Sequence, residues 1–488
     1  MKRYLNVMPL DEVFFLLARE FSCTPSVETV NLEAASGRIT ACPIFGTYSV
    51  PEIHIAAMDG IAVASADTKY ASEQHPVTLD HVARVNTGNV VPPGYDAVIM
   101  IEDVWETDGK YMIRKSAGPW QHVRPAGEDI AESEMVMTSH HCIRPHETGA
   151  LGTYGITRLE VITVRIGLIP TGSELVAAGT RPAPGQVVES NTVMAKAMLE
   201  SVGARCMRYP SVEDNPEKIA DAIKKACNEN DIVIVSAGSS AGTKDYTADV
   251  IAGLGEVIVH GIATRPGKPA IIGRVDKKPV FGLPGYPLSA LAVIRELVLP
   301  FLRNYGLFVP EPQIIRAVIS SALPKEIGSD EFVQCTLGKV GNRWTVSPQS
   351  KGAGVQMSAV RANAYLRVPR LSEGFNAGDM VDARLMVPVQ EAESALLITG
   401  SHDPVLDHLA NLLRPADVSL ISTHVGSMGG ILALKKDECH AAPTHLLAPD
   451  GSYNTEYIRK YLPDIPIDLI CVAGRQQGIV SRDGFSFD

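Results

Sequence analysis

The spacing of apolar and polar positions changes several times along the chain, and each change marks a different kind of element. Residues 9–22 carry apolar side chains at helical intervals behind Pro9, the pattern of an amphipathic helix. Residues 30–43 read as a short strand and helix with a turn at Gly37. Ala56-Ala-Met-Asp-Gly60 is a small-residue turn that runs into a strand. Residues 76–124 alternate apolar and polar, with turn signals at Val91-Pro-Pro-Gly94 and Thr107-Asp-Gly109, and predict a small β domain. Within it Asn86-Thr-Gly88 precedes a loop, and residues 96–103 form a strand flanked by carboxylates. Val123-Arg-Pro-Ala-Gly-Glu-Asp-Ile130 is a second polar turn, which on its residues alone fits a surface loop with a local ion pair. Residues 145–160 return as a short helix, so the small β domain reads as an insertion.

From Val161 the period switches to alternating strand and helix. Residues 161–169 predict one strand ending in Pro170-Thr-Gly-Ser-Glu-Leu175. Helices follow at 191–202 and, behind the Asn215-Pro216 cap, at 216–228; strands fall at 206–209 and 231–236. A helix at 245–254, strands near 256–260 and 270–273 and a helix at 286–304 complete the region. This is a βαβαβ pattern, which implies right-handed crossovers and a doubly wound sheet. Residues 311–388 are short alternating segments with turns at Gly328, Gly338, Gly352 and Gly378, the mark of a compact β domain or barrel. Residues 390–394 read as a polar linker. Beyond it, strands at 396–403 and 418–423, a helix at 404–414 and a small-residue loop at 425–431 make a partial α/β lobe, read as truncated or abbreviated. The fold class is therefore multidomain α/β and β. The divisions are 1–44 with 125–160, an inserted 45–124, a doubly wound 161–306, a barrel at 307–390 and a lobe at 391–488.

At 488 residues the chain is too long for one core. A net charge of −11 excludes a general nucleic-acid binder, which needs a basic face. Eight cysteines without a CxxC pair suit reduced thiols. The apolar run at 13–18 is too short for a signal or a span, so a cytoplasmic protein with no membrane association is expected.

Chemistry concentrates between Asp231 and Pro287. The strand Asp231-Ile-Val-Ile-Val-Ser236 is apolar and β-branched, as for a strand buried on both faces. Ala237-Gly-Ser-Ser-Ala-Gly-Thr-Lys-Asp-Tyr246 follows, with little side chain to keep backbone N–H groups from an anion. Asp245 is a candidate N-cap for the next helix, whose positive end would add to the cradle. Arg265-Pro-Gly-Lys-Pro269 sets two cations three residues apart, and Gly282-Leu-Pro-Gly-Tyr-Pro287 is a stiff turn into an apolar helix. In open α/β sheets ligands bind beyond the carboxyl ends of the strands, so residues 171–174, 238–245 and 282–287 should meet at one edge. That describes a pocket for a phosphorylated anion.

Met58-Asp-Gly60, Thr87-Gly88, Arg124-Pro-Ala-Gly-Glu-Asp-Ile130, Thr171-Gly-Ser-Glu174, Ser190-Asn191, the 238–246 loop, Arg265-Pro-Gly-Lys-Pro269 and Gly282-Leu-Pro-Gly-Tyr-Pro287 occur in one order. In these motifs the chain resembles the molybdopterin molybdenumtransferases of the MoeA type, similar to the gephyrin E domain, across residues 1–390. The resemblance implies a MoaB/Mog-like doubly wound domain. It also implies binding of adenylylated molybdopterin and of molybdate or tungstate. Insertion of the metal and release of AMP would be aided by Mg²⁺. It further implies a homodimer whose site lies between the doubly wound domain of one subunit and the small β domain of the other. An upstream molybdopterin adenylyltransferase is an implied partner.

Carried over residue by residue, Asp59, Asp129, Glu174 and Asp245 are candidate catalytic acids. Asp59, Glu174 and Asp245 are candidate ligands of the divalent cation, which prefers hard oxygen donors. Asp231, at the start of a matching strand, is a further candidate. Substrate contacts fall to Thr87, Arg124, Thr171, Ser190, Asn191, Gly238, Ser239, Ser240, Gly242, Arg265, Lys268, Pro284 and Pro287. Purely structural roles compete for several of these: helix cap for Asp245, first-turn carboxylate for Glu174 and turn former for Asp59. Arg265 stands where many relatives carry Lys, the 237–242 loop is Ala-Gly-Ser-Ser-Ala-Gly, and Tyr286 replaces the usual Asn.

Residues 395–480 resemble the first lobe of a periplasmic-binding-protein or LysR-substrate domain through His402-Asp403, Gly426-Ser427, His440, His445, Tyr453-Asn454 and Arg475-Gln-Gln-Gly478. Cys439-His440 with His445 has loose spacing for a metal site and reads as ordinary structure. Two rivals remain. A nucleotide hydrolase of the competence-damage type would share the central domain without the Met58–Gly60 and Arg124–Ile130 motifs. A carrier or regulator would hold molybdopterin or oxyanion without turnover, and would need no set of four acids. Nothing in the residues separates molybdenum from tungsten.

Overall fold

A computed structural model describes residues 7–236, 246–349, 352, 355–472 and 474. The first helix, Leu10–Glu20, starts at Pro9 and carries Asp11 and Glu12 in its first turn, where the helix dipole favours acids. It buries Leu10, Val13 and Leu17 in the same core as the central sheet. Strand Ser26–Asn31 then pairs antiparallel with Arg158–Thr163 and brings the chain back from the inserted β domain. In that domain Gly60–Val63 lies between Ala83–Val85 and Ala97–Met100. A second sheet of Val77–Leu79, Lys110–Ile113 and Val104–Thr107 closes over Ile61, Val63, Leu79, Ile99 and Ile113. Position 60 must be glycine, because a Cβ there would lie 1.8 Å from the Ile99 carbonyl oxygen.

The central domain contains β1 (Arg165–Pro170), α1 (Asn191–Glu200), β2 (Arg205–Arg208), α2 (Pro216–Glu229), β3 (Ile232–Ser236), α3 (Thr247–Leu254), β4 (Glu256–His260), β5 (Ile271–Val275), β6 (Lys278–Leu283) and α4 (Pro287–Val293). Its sheet runs β2-β1-β3-β6-β5-β4. The first four strands are parallel, and β5 and β4 are added antiparallel. Asn215 caps α2 as expected, its side-chain oxygen accepting the N–H groups of Glu217 (2.9 Å) and Lys218 (3.1 Å).

In the strands of the central region two features differ from the sequence reading. The single strand expected at 161–169 is two: Arg158–Thr163 belongs to the N-terminal sheet and β1 to the central one. Buried apolar residues lie on both sides of Val164, and the exposed Arg165 just after it is what an ordinary alternating strand would also show, so the pattern does not mark the break. Strand β6 was not expected. It follows β5 through Asp276-Lys277, both left-handed (φ 49° and 66°), a two-residue hairpin without the glycine or asparagine that usually signals one. Gly282 is therefore inside a strand, and the turn begins at Pro284.

The long helix expected at 286–304 is α4 continued through one wide turn, Ile294–Val298, then Leu299–Leu302 and Arg303–Tyr305. Pro300 has no N–H to give, and the wide turn just before it absorbs the missing bond. Gly306 ends the run at φ 81°. Phe301 packs edge-on against Phe281 (5.6 Å) and Tyr305 (5.7 Å) beneath the sheet.

Residues 314–385 form a closed five-stranded barrel. Strands Ile314–Ile319, Arg343–Pro348, Asp330–Val340, Ala364–Val368 and Met380–Leu385 each pair with two neighbours around the ring. The linker expected at 390–394 is instead the helix Val389–Glu393, anchored by buried Ala392. In the C-terminal lobe, Leu396–Gly400 and Leu420–His424 run parallel with helices Val405–Leu413 and Gly426–Lys435. The small residues of 426–431 lie inside that last helix rather than in a loop. They let it approach the first strand closely: a Cβ at Gly430 would fall 2.5 Å from the Thr399 carbonyl oxygen. Among the described residues no helix is long and apolar enough to cross a membrane.

Candidate functional site

Parallel pairing sets Pro170 beside Ser236 and Ser236 beside Leu283, so β1, β3 and β6 end level. Three of the segments expected to converge therefore leave from adjacent strand ends. Gly238, Ser239, Ser240, Gly242 and Asp245 follow β3 directly and lie outside the described residues, and α3 begins only at Thr247. Thr171 is buried, its N–H donating to the Ser236 carbonyl at 2.9 Å and its hydroxyl reaching the same oxygen at 3.3 Å. Pro284 is buried and Pro287 opens α4, while Tyr286 between them is 56% exposed.

Asn191 ties these ends together. Its amide nitrogen donates to Ser236 Oγ (3.3 Å) and to the Gly285 carbonyl (2.9 Å). Glu189, which no motif pointed to, fixes the start of α1. Its buried carboxylate accepts the N–H and hydroxyl of Thr192, both at 2.8 Å, and pairs with Arg208 at 2.7 Å. Glu-x-x-Thr ahead of a helix, with an arginine on the next strand, is the faint signal that was available. Ser190 Oγ accepts a bond from Gln356 of the barrel region at 3.2 Å. Ser173 and Asp214 exchange backbone and side-chain bonds, and Glu174 stands in the bend opened by Gly172.

Arg265 and Lys268 line the loop between β4 and β5. Arg265 is half-exposed and pairs with Glu326 at 2.8 Å. Lys268 is exposed, and no ion pair holds it among the described residues. Gly267 is at φ 112°, and a Cβ there would lie 3.0 Å from a Val293 methyl. Asp231 sits at the other end of β3. Its carboxylate accepts from Arg165 N–H (2.8 Å) and Ser26 Oγ (2.9 Å) and pairs with the Arg165 guanidinium, so it is a tie between the two sheets and not part of this edge.

The second group of candidates lies on the small β domain. Strand Ile55–Ala56 pairs with Val123–Arg124. Beyond its end, Asp59 Oδ1 accepts the Thr87 N–H (2.6 Å) and hydroxyl (2.9 Å). These two donors, the backbone one foremost, hold the Asp59 carboxyl below its usual range. Arg124 pairs with Glu128 at 2.5 Å, the local ion pair expected of that turn, and Asp129 accepts the Tyr154 hydroxyl at 3.1 Å. Asp59, Thr87, Arg124 and Asp129 thus bond within the N-terminal region, and Thr171 and Asn191 bond within the central one. Among the described residues no three His, Cys, Asp or Glu side chains gather as a metal cage. Asp59 is an ionised, hard oxygen donor of the kind Mg²⁺ takes, but Glu174 belongs to the other group.

In the C-terminal lobe, Ser401 and Ser427 share a buried hydrogen bond of 2.8 Å. His440 is used structurally, between Leu397 N–H and the Lys339 carbonyl, and His445 lies against Ser427. His402 and His424 meet at 3.1 Å. The Arg475–Gly478 motif lies outside the described residues.

A doubly wound sheet, an inserted β domain and a closed barrel define a multidomain α/β and β protein, and known proteins share this arrangement. Residues 8–155 match the MoeA N-terminal region (domain I and II), 167–304 the model described as "Probable molybdopterin binding domain", and 316–386 the MoeA C-terminal region (domain IV). Residues 409–486 match a PBP superfamily domain. A molybdopterin biosynthesis protein of Methanocaldococcus jannaschii is 31% identical over 409 residues, 79% of this chain and 100% of the relative. The molybdopterin molybdenumtransferase of Staphylococcus epidermidis is 30% identical over 380 residues, 73% of this chain and 90% of its own. The crystal structure of a MoeA protein from Pyrococcus horikoshii superposes with a TM-score of 0.66 at 32% identity, covering 78% of this chain and 99% of that one. The chain belongs to the molybdopterin molybdenumtransferase (MoeA) family, and is thus a transferase of molybdenum-cofactor biosynthesis.

Proposed function

We propose that this chain inserts molybdate or tungstate into adenylylated molybdopterin and releases AMP, with Mg²⁺ as the divalent cation. The observation that supports this most is the level ending of β1, β3 and β6, locked by Asn191, beside the Arg265–Lys268 loop. Two anionic substrates need a cationic approach and uncovered N–H groups, and this edge has the residue types for both. On this reading Thr171, Ser190, Gly238, Ser239, Ser240, Gly242, Pro284 and Pro287 shape the pterin-phosphate cradle, and Lys268 and Arg265 hold anionic oxygens. Asp59 and Glu174 bond in different regions of one chain. The reading therefore includes a homodimer, in which Asp59, Thr87, Arg124 and Asp129 of one copy face Glu174 and Asp245 of the other. Bound there, Mg²⁺ would neutralise phosphate charge while the adenylate bond is cleaved. Asp59 suits that task because it is a carboxylate whose orientation is fixed by the Thr87 N–H and hydroxyl. The reaction is placed in the cytoplasm, downstream of a molybdopterin adenylyltransferase.

The test is incubation with adenylylated molybdopterin, Mg²⁺ and either oxyanion, following AMP release and metal retained on the pterin. Release that requires the oxyanion and disappears in Asp245→Ala and Glu174→Ala is the expected result, and the preferred oxyanion names the metal. Tight binding without AMP release under any of these conditions would replace the transferase reading with that of a carrier.

A further inference from the structure

The small β domain carries an aromatic pair that none of the family motifs includes. His54 directly precedes strand Ile55–Ala56, and its ring lies against Trp120 with centroids 4.8 Å apart and planes tilted by 59°. We propose that His54 and Trp120 are a stacking platform for a planar heterocycle of the phosphorylated substrate, a specificity element supplied by this domain. The proposal rests on the transferase reading above.

Three observations carry it. The first is that the pair is built into the charged loop. The Ala126 N–H donates to His54 Nδ1 at 3.0 Å, so this nitrogen is the acceptor and the neutral ring carries its proton on Nε2. Ala126 is two residues from Arg124, and Arg124 is paired across the strands with Ile55, the neighbour of His54. At the other end of the same short strand stand Met58 and Asp59. The ring pair and the Arg124–Glu128 ion pair are therefore carried by one two-residue ladder, and Asp59 lies three residues beyond its end.

The second observation is the backbone around the indole. Trp120 has φ 64° and His122 φ 55°, a left-handed conformation that bulky side chains rarely adopt. Both are pinned: Trp120 N–H donates to the Asp96 carbonyl at 2.6 Å, His122 Nδ1 lies 3.1 Å from the Val98 carbonyl, and the His122 carbonyl accepts Ala57 N–H at 2.8 Å. Unfavourable backbone is thus held in place around a side chain that contributes little to the core, since Trp120 is 50% exposed. The third is the setting. Ile53 and Val90 are each 51% exposed, and Val90 bridges Ile55, so the platform has apolar flanks and a charged rim. An exposed π-face with apolar flanks suits a flat ring, and the Arg124–Glu128 pair on the adjoining strand keeps a charged group within the same domain edge. Both the adenine and the pterin of the substrate are flat rings of this kind.

The chain has three tryptophans, so a Trp105→Phe/Trp344→Phe variant leaves Trp120 as the sole reporter. Its emission is followed while AMP, molybdopterin and adenylylated molybdopterin are titrated in turn, with binding measured separately by equilibrium dialysis. The platform predicts saturable quenching of Trp120. Quenching by AMP assigns adenine as the stacked ring, and quenching by molybdopterin assigns the pterin. Trp120→Ala should weaken that same ligand about 5- to 150-fold, the value of one ring stacked on an aromatic side chain, and Trp120→Phe should recover most of it. The loss should appear in KM rather than in kcat. Should the double variant not fold, comparing wild type with Trp120→Phe gives the same readout. Silent Trp120 emission while ligand binds overturns the platform. So does emission that follows protein dilution instead of ligand, which would make the indole a contact between copies. A wild type that binds none of the three ligands sinks the transferase reading itself, whereas turnover with a silent Trp120 sinks only the platform.

Discussion

Removing the Asn191 amide tests whether the crevice is held open by one strut. The side chain is 8% exposed and joins the start of α1 to the ends of β3 and β6. Asn191→Ala deletes both bonds and strands the Gly285 carbonyl away from its donor. Loss of the partner costs about 1 kcal/mol where water can take its place, as at the part-buried Gly285 carbonyl, and up to about 3 kcal/mol where it cannot. A global unfolding energy is poorly defined for a chain with several cores, so the local quantity is the better readout. Amide hydrogen exchange at Ser236, Gly285 and Tyr286 should accelerate by about 5- to 150-fold, because each 1.4 kcal/mol is a factor of ten. Asn191→Asp keeps the shape but turns an acceptor toward Gly285. The Ser236 hydroxyl can rotate to donate to the new carboxylate, whereas the Gly285 carbonyl cannot. Exchange at Gly285 and Tyr286 should therefore rise at least as much as with alanine, and exchange at Ser236 should rise less. Affinity for molybdopterin should fall in both variants. Wild-type exchange at Gly285 in Asn191→Asp would refute the reasoning, since it would mean that the amide oxygen, not the nitrogen, faces that loop.

Four other outcomes follow from individual contacts. Thr87→Val removes the hydroxyl donor to Asp59 but leaves the stronger backbone one, so the Asp59 carboxyl should titrate nearer the normal range in carboxyl-carbon NMR without reaching it. Glu147 is held at a pKa of about 2, first by Arg144, then by the Arg144 N–H and His141 acting against burial. A depressed carboxyl stabilises the fold above its unfolded pKa, so the N-terminal region should lose stability as pH falls from about 4.5 toward 2, and Glu147→Gln should flatten that slope in chemical denaturation. Gly60→Ala drives a Cβ into the Ile99 carbonyl at 1.8 Å and should separate the two strands, visible as new protease cleavage within residues 45–124. Burial raises the Cys206 thiol to about 12 and Cys227 and Cys439 to about 11, so iodoacetamide at pH 8 should label exposed Cys471 well before any of them.

The parts of this molecule that could be read in its sequence are those where one local rule governs. The Asn215-Pro216 cap, the β-branched run of β3 and the Gly94 and Gly109 turns of the small β domain each announce themselves within a few residues. The convergence of Thr171 with Pro284 and Pro287 also followed, because parallel strands must end on one side. What stayed hidden depends on partners far away in the chain. Nothing near Val164 tells that one apolar run serves two sheets. The Asp276-Lys277 hairpin uses left-handed residues that only the β5–β6 pairing stabilises. Asp231 illustrates the same limit for chemistry. An acid beside an anion-binding strand invites a catalytic role, yet its place at the amino end gives it Arg165 and Ser26 as partners. The sequence distance from Asp231 to Ser236 is the length of β3, and that length separates a structural carboxylate from the crevice. Asp59 is the converse case. A turn former by residue type, it is aligned by Thr87, 28 positions away, into an ionised group with an exposed oxygen. Whether an acid serves the fold or the site is decided by which strand end it occupies and by what donates to it, and both are properties of pairing.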